Sequence, residues 1–371
     1  MNTARVTVVQ PYLTPYRLPF FARLTEELAR RDIELTVAHG RPVGSSARRG
    51  DGLSPAGTVL LRQRDWQIAG RRLLWRDLRE VVRSSDAVVL SQELRHLDTY
   101  PLLARRRVKV ALWGHGRTCP VRHGAVLRHA KAALTRRADW FFAYTDEGRE
   151  YAERSGLSPR CITVLNNAID TASLAAAREK VGDTELREFR ERYGLTAGRT
   201  GLYIGALDTP KRVPFLLDAA EELARRIPGF RLLVAGDGAE RALVEGAGPA
   251  VVYTGTASDR DKALLGAAAD IMLTPGAVGL CAVDSFALRV PVATTRWPFH
   301  GPEFSYLEHG RNALITTDDP DAYSDAVMQL LCSPRRLASM RRSCRVDAQR
   351  YTVEGMAAAF AHGTERMIHG A

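Results

Sequence analysis

The sequence predicts an α/β fold of two doubly wound parallel sheets, and three observations predict it. Short apolar segments recur along the chain with helical stretches between them. The alternation stops at a polar stretch near the middle and then restarts. Two of the restarted segments run from a strand through a glycine-containing turn into a helix, the arrangement that holds a diphosphate at the edge of open parallel sheets. At 371 residues the chain exceeds what one hydrophobic core organises, so two domains are expected.

In chain order the first half offers VTVVQ, IELTVAH, AVVLS, VKVALWG, WFFAYT and CITVLN as strands. LPFFARLTEELARR reads as a helix, because Leu18, Phe21, Leu24 and Leu28 recur at spacings of three and four. From Ile169 and Asp170 to about Gly198 the chain is polar, Ala-rich and charged, with helix character but little to bury. It reads as the boundary between a first domain over 1–195 and a second over 196–350. The theme then restarts with GLYIGA, RLLVAGDG, VVYTG, IMLTPG, VPVATT and ALITT. A last helix in 351–371 is expected to return to the first domain.

With 45% hydrophobic and 26% charged residues the chain can bury two cores and stay soluble. No run of ~18 apolar residues occurs and MNTARVTVVQ enters a strand directly, so membrane spanning and secretion are not expected, and the cytoplasm is. Cys119, Cys161, Cys281, Cys332 and Cys344 are odd in number and scattered, which reads as free thiols without a zinc framework. The net charge of +11 is unevenly spread: residues 1–180 hold 31 Lys and Arg against 18 Asp and Glu, the remainder 22 against 24. The excess clusters in 64–83, in 105–109 and between Arg122 and Arg137. Such a face can meet an anionic membrane or a phosphate-bearing acceptor, or it can reflect a general preference for Arg. Nucleic acid is not expected, because no helix-turn-helix, zinc-finger or RNP-like pattern is present.

The candidate site rests on two segments. In 274–295, TPGAVGLCAVDSFALRVPVATT, Gly276 and Gly279 let backbone approach closely, and the amides from Gly276 through Val278 to Leu280 precede a helix whose dipole favours an anion. Asp284 lies about one turn into that helix, where a carboxylate can accept from ribose hydroxyls. In 201–217, GLYIGALDTPKRVPFLL, Lys211 offers a point charge and Arg212 a fork for phosphate oxygens. The plainer alternatives are turn glycines and solvated charges. His115 stands between Gly114 and Gly116 at a strand end. Tyr16 and Arg17, in PYLTPYR, are candidates to contact an acceptor or a phosphate, or simply precede a helix. Asp259, Arg260 and Asp261 spell a metal-binding Asp-x-Asp, but they follow Ser258 and read better as a helix cap. No metal is expected, since His115, His123 and His129 lack ligand spacing with any acid or Cys cluster.

These segments resemble the family 4 glycosyltransferases, whose GT-B fold sets two Rossmann-like domains across an interdomain cleft. Gly205 and Lys211 stand at the places of that family's Gly-x-x-x-x-x-Lys turn. Gly279, Leu280, Asp284, Ala287, Pro291 and Val292 match its Gly-Leu, second-acid and Pro-Val motif. Further matches are AGDG with Gly236, YTG with Tyr253, HGPEFSYLEHGRNALI with Glu303, NNAID, and PYRLPFF. The resemblance implies metal-independent, retaining transfer from a UDP- or GDP-type nucleotide diphosphate sugar to a small-molecule, glycan or lipid-linked acceptor. It also implies donor contacts from Gly205, Gly236, Tyr253, Gly276, Val278, Gly279, Leu280, Asp284 and Glu303, with leaving-group charge from Lys211 and Arg212. His115 is implied to face the donor sugar or the acceptor. The sequence departs from the family at Gly276, where the first glutamate is usual, at Asp284 in place of the second glutamate, at Ala206 for an Arg, and at Arg289 for a Gly. A sugar-nucleotide hydrolase or epimerase, or a non-catalytic nucleotide-binding subunit, are the alternatives. High Arg, Ala and Gly usage suggests a bacterium with GC-rich DNA, where envelope glycans and antibiotics are both made with such enzymes.

Overall fold

The computed structural model describes residues 3–44, 47, 52–68, 70–105, 107–116 and 125–370. Arg106, Cys119, Arg122 and His123 lie outside the described residues. The chain divides into two compact units, one of residues 1–169 with 352–371 and the other of 170–351.

The first unit runs β1 (Ala4–Gln10), α1 (Leu18–Ala29), β2 (Ile33–His39), β3 (Val59–Leu60), β4 (Gln63–Ile68), β5 (Arg71–Arg76), α2 (Arg79–Arg83), β6 (Ala87–Ser91), α3 (Thr99–Arg105), β7 (Lys109–Gly114), α4 (Ala125–Arg136), β8 (Trp140–Ala143), α5 (Asp146–Arg154) and β9 (Ile162–Val164). Its main sheet has the order β3-β2-β1-β6-β7-β8-β9, with parallel pairing throughout. The central strands β1, β6, β7 and β8, buried on both faces, are apolar runs, which made them legible in the sequence, whereas the exposed edge strand β3 was not. Alternation then sorts side chains between two cores. Val6, Val8, Val89, Trp113 and Phe142 pack on one side with Phe20 and Leu24, while Val88, Leu90, Val110, Leu112 and Phe141 pack on the other with Val81 and Leu103. The hairpin of β4 and β5 stands outside this sheet.

The second unit runs α6 (Ala172–Glu179), α7 (Asp183–Tyr193), β10 (Thr200–Ile204), α8 (Val213–Arg226), β11 (Arg231–Ala235), α9 (Arg241–Glu245), β12 (Val251–Gly255), α10 (Asp259–Ala268), β13 (Ile271–Leu273), α11 (Cys281–Leu288), β14 (Val292–Thr295), β15 (Ala313–Thr316), α12 (Pro320–Leu331) and α13 (Pro334–Arg350). Its sheet is ordered β12-β11-β10-β13-β14-β15, all parallel. The order reverses between β10 and β13, the kind of switch point at which parallel sheets bind ligands beyond their carboxyl ends. Tyr203, Leu232, Val234, Ile271 and Leu273 form its core with Leu216, Leu223, Val327 and Met340.

After Tyr351 the chain returns to the first unit as α14 (Val353–His369). Phe360 stacks on Phe142 with ring centroids 4.0 Å apart. Gly363 permits the close approach, since a Cβ there would stand 2.4 Å from Thr163 Oγ1. Lys109 Nζ donates to the carbonyls of Met367 and Ile368 at 2.6 and 3.1 Å, capping the helix end with a positive charge where the dipole favours one.

Candidate active site

At the carboxyl ends of β10, β11 and β12 the loops are stitched together by backbone. The Gly205 amide donates to Ala235 O at 3.0 Å, and the Gly236 amide to Gly255 O at 2.8 Å. A Cβ at Gly236 would fall 1.8 Å from Gly205 O, so the two loops touch only because residue 236 lacks a side chain. Tyr253 donates its hydroxyl to Gly236 O at 2.9 Å, and Tyr203 to Ala206 O at 2.6 Å.

The two glycine-bearing segments meet within this unit. Lys211 ends a 3-10 turn over Thr209–Lys211, and Arg212, at φ 56°, turns the chain into α8. The Ala277 amide donates to Pro210 O at 2.9 Å, and Lys211 Nζ donates to Ala277 O at 2.5 Å. A Cβ on Gly276 would lie 2.4 Å from the carbonyl carbon and oxygen of Lys211. The missing glutamate thus has a steric reason here: no side chain fits at 276 while the loop lies against the Lys turn. Among the described residues no carboxylate comes within ion-pair reach of Lys211, whereas Arg212 is paired to Asp318 at 2.5 Å. The Arg212 guanidinium also stacks over Phe215 and Trp297, 4.5 and 5.5 Å from their centroids. Lys211 is therefore the uncompensated cation of the pair.

His300 fixes the loop from the other side. The Val278 amide donates to its Nδ1 at 3.1 Å and its Nε2 lies 2.9 Å from Thr295 O, a network that assigns the neutral ring with its proton on Nε2. Glu303 is buried beside the loop; a Cβ on Gly301 would meet its Oε2 at 3.0 Å and one on Gly279 at 3.8 Å. At the start of α11 the amides of Ala282 and Val283 turn back to Gly279 O and Leu280 O, while the Leu280 amide has no backbone partner among the described residues. Asp284 follows one turn in, buried, with Lys262 Nζ at 3.6 Å. Burial pushes its carboxyl above the ordinary range, and Lys262 opposes that. Burial likewise raises the Cys281 thiol, with Lys211 opposing, so Cys281 is not an activated nucleophile.

In the first unit, Tyr16 and Arg17 belong to the turn before α1. Tyr16 is exposed. Arg17 is buried: its Nη2 donates to Asn167 Oδ1 at 2.9 Å, and its guanidinium lies 5.3 Å from the Trp113 ring and 5.9 Å from that of Tyr144. His115 follows β7, exposed, its ring 4.6 Å from that of Tyr144. Gly116, at φ 76°, lets this turn settle on α5, since a Cβ there would meet Gly148 Cα at 2.9 Å. Tyr16, Arg17 and His115 thus share one aromatic cluster. Trp113, Tyr144, Lys262 and Asp318 carry no local sequence signal, since each lies far in sequence from the residue it holds, and His300, which opens the HGPE run, shows its contact with the Val278 amide only in the fold.

Asp259 and Asp261 open α10, where Ser258 and Asp261 form a reciprocal capping box. Among the described residues no group of three or more His, Cys, Asp or Glu side chains is placed to hold a metal ion.

Residues 20–173 match the family model described as Glycosyltransferase Family 4, and residues 198–333 the model described as Glycosyl transferases group 1. Over its whole length the fold is that of a glycosyltransferase from Rickettsia africae, with a TM-score of 0.71 at 12% identity and 100% of both chains covered. It is also that of the Anabaena HepE protein solved with UDP, with a TM-score of 0.67 at 15% identity over 97% of this chain and 98% of the other. Both halves of the chain are thus related to glycosyltransferase family models, and its fold is the GT-B fold. Among curated relatives of this chain is the alpha-D-kanosaminyltransferase of Streptomyces kanamyceticus, 32% identical over 43% of this chain and 36% of the relative. Another is D-inositol 3-phosphate glycosyltransferase 2 of Catenulispora acidiphila, 29% identical over 62% of this chain and 57% of the relative. The chain thus spans between about a third and three fifths of those relatives' lengths. In the GT-B glycosyltransferases the resemblance placed donor contacts in the second domain, and all its donor positions here, from Gly205 to Glu303, fall in the unit of residues 170–351.

Proposed function

We propose that this protein transfers a sugar from a nucleotide diphosphate sugar, of UDP or GDP type, to an acceptor hydroxyl, with retention at the anomeric carbon and without a metal. One observation carries the reading: an unneutralised lysine amine rests on the glycine loop that leads to the N-terminus of α11. A diphosphate drawn there meets Lys211 in place of the Ala277 carbonyl, together with the Leu280 amide and the helix dipole. The bond from the anomeric carbon to the phosphate oxygen breaks with its electrons leaving on the nucleoside diphosphate, the acceptor oxygen bonds to that carbon on the same face, and the acceptor proton is released. Positive charge on the departing diphosphate is the main contribution asked of the protein. Asp284 serves the ribose, Glu303 and Val278 shape the donor pocket, and His115 and Tyr16 serve the sugar or the acceptor.

Relatives named for transfer of kanosamine, for transfer to inositol 3-phosphate and for transfer to a phosphatidylinositol dimannoside favour small-molecule, glycan or glycolipid acceptors. The basic first half favours work at the inner face of an anionic membrane, from the cytoplasm; no described helix is long and apolar enough to cross one.

The test is turnover of UDP- and GDP-sugars by the full chain with candidate acceptors, followed by NMR of the product anomer. Lys211→Ala is expected to lose roughly 10²–10³-fold in kcat while its circular dichroism is unchanged. Full activity in that variant refutes the reading. Free sugar or an epimer formed without acceptor indicates a hydrolase or epimerase, and nucleotide binding without consumption indicates a binding subunit.

A further inference from the structure

Strands β4 and β5 pair antiparallel outside the parallel sheet, and their register decides what they show to solvent. Arg64 pairs with Trp75, Trp66 with Leu73 and Ile68 with Arg71, so these six residues share one face. The other face is fastened to the unit. Leu74 exchanges backbone hydrogen bonds with Arg95 and Leu97, and fully buried Arg76 grips Asp98 through Nε at 2.6 Å and Nη2 at 3.1 Å. Large apolar groups are thereby turned outward: Trp66 is 42% exposed, Ile68 58% and Trp75 40%. Beside them opens a cavity of about 860 Å³ lined by both tryptophans with Arg64, Arg83, Arg105 and Arg107. Arg72 and Arg79 have acid partners at 2.6 Å, but Arg64, Arg71, Arg83, Arg105 and Arg107 have none among the described residues.

We propose that this hairpin face and the adjoining arginines seat the protein on an anionic lipid bilayer, with Trp66, Ile68 and Trp75 entering the headgroup layer and the arginines pairing with lipid phosphates. The assignment rests on the membrane reading above and says which surface serves it. Unneutralised arginines crowded together call for an anion, and indoles beside them suit a boundary that is apolar on one side and wet on the other. A soluble phosphorylated ligand in the groove leaves Ile68, which does not line it, in water. A second copy of the chain on the same face brings arginine against arginine.

The test is co-sedimentation of the full chain with vesicles of phosphatidylcholine alone and of phosphatidylcholine with phosphatidylglycerol, at low and high salt. The wild type is expected to pellet only with the anionic vesicles and to be released by salt. A Trp66→Ser/Trp75→Ser variant is expected to lose about tenfold or more in partitioning, and so is Ile68→Glu, which sits at the most exposed position and tests the face with little risk to folding. Both are expected to keep the wild-type circular dichroism and affinity for nucleoside diphosphate. Wild-type sedimentation by both variants overturns the hairpin assignment and leaves the membrane reading standing. Failure of the wild type to bind anionic vesicles at low salt overturns both. Binding of inorganic tripolyphosphate that is lost in Arg83→Ser/Arg105→Ser, without vesicle binding, or self-association that both hairpin variants abolish, assigns the face to a soluble anion or to a second copy and overturns the proposal.

Discussion

Gly276 is the residue on which the candidate site turns, because it converts a missing acid into a geometric requirement. Its neighbour across the gap is backbone, which cannot swing away as a side chain can. Gly276→Ala and Gly276→Glu are therefore both expected to push the loop off Lys211, lowering stability by about 1–3 kcal/mol and weakening nucleoside diphosphate binding in calorimetry. Gly279→Ala is the control, since its Cβ meets Glu303 only at 3.8 Å, an ordinary contact. If Gly276→Glu binds nucleotide as the wild type does, the steric account fails. The glycines and Lys211 were legible in the sequence because turn chemistry is local. The roles of His300, which holds the glycine loop through the Val278 amide, and of Asp318, which holds Arg212, were not, because each acts through a contact made only by folding. His96 was hidden for the same reason. Burial, then the charges of Arg76 and Arg95, push its imidazole well below its ordinary value, so the folded chain keeps it neutral. In the unfolded chain it takes a proton near pH ~6.5, so stability is whole above that pH and falls as pH drops below it. Urea melts from pH ~7.5 to ~5.5 are expected to show the wild type losing about 1.4 kcal/mol more in total over that range than His96→Gln. Equal slopes contradict this.

At the scale of elements, the strands were readable because parallel strands buried on both faces are unbroken apolar words, and α1 because its apolar stripe repeats at helical spacing. The hairpin was not readable. Its sequence, QRDWQI and RRLLWR, spends arginines where an ordinary strand is apolar, and it was visible only as charge. Helix α11 shows the converse, a rule broken at a readable place. It ends at Arg289 with φ 60°, the left-handed conformation for which the family keeps glycine. A non-glycine residue there stores about 1–2 kcal/mol, and the partner that Arg289 finds in Glu179 of α6 is largely exposed, so it returns little. Arg289→Gly is expected to stabilise the unit by about 1 kcal/mol, raising its melting temperature by roughly 2–4 °C. A fall in melting temperature shows instead that the tie from α11 to α6 matters more than the backbone conformation.

At the scale of the molecule, the chain leaves the first unit after Ile169 and re-enters it at Thr352, so the second unit is one continuous stretch and the first is not. Continuity has a consequence for function. Each proposed contact to the nucleoside diphosphate, Lys211, Arg212 and Asp284 included, lies in 170–351, and so do the residues that position them, Lys262, His300 and Asp318. That stretch has its own core, six parallel strands covered by helices on a size ordinary for a domain. A fragment of residues 170–351 is therefore expected to fold alone and to bind UDP or GDP with an affinity within about tenfold of the full chain, while transferring no sugar. The complementary truncation before Thr352 strips Phe360, Met356 and Ala357 from beside Phe20 and Phe142, and is expected to unfold the first unit while leaving nucleotide binding intact. Calorimetric titration of both proteins, with circular dichroism to establish folding, decides the matter. A folded 170–351 fragment that binds neither nucleotide means the diphosphate site needs residues outside this unit, and the assignment of Lys211 and the Gly276 loop as a self-sufficient anion site falls with it.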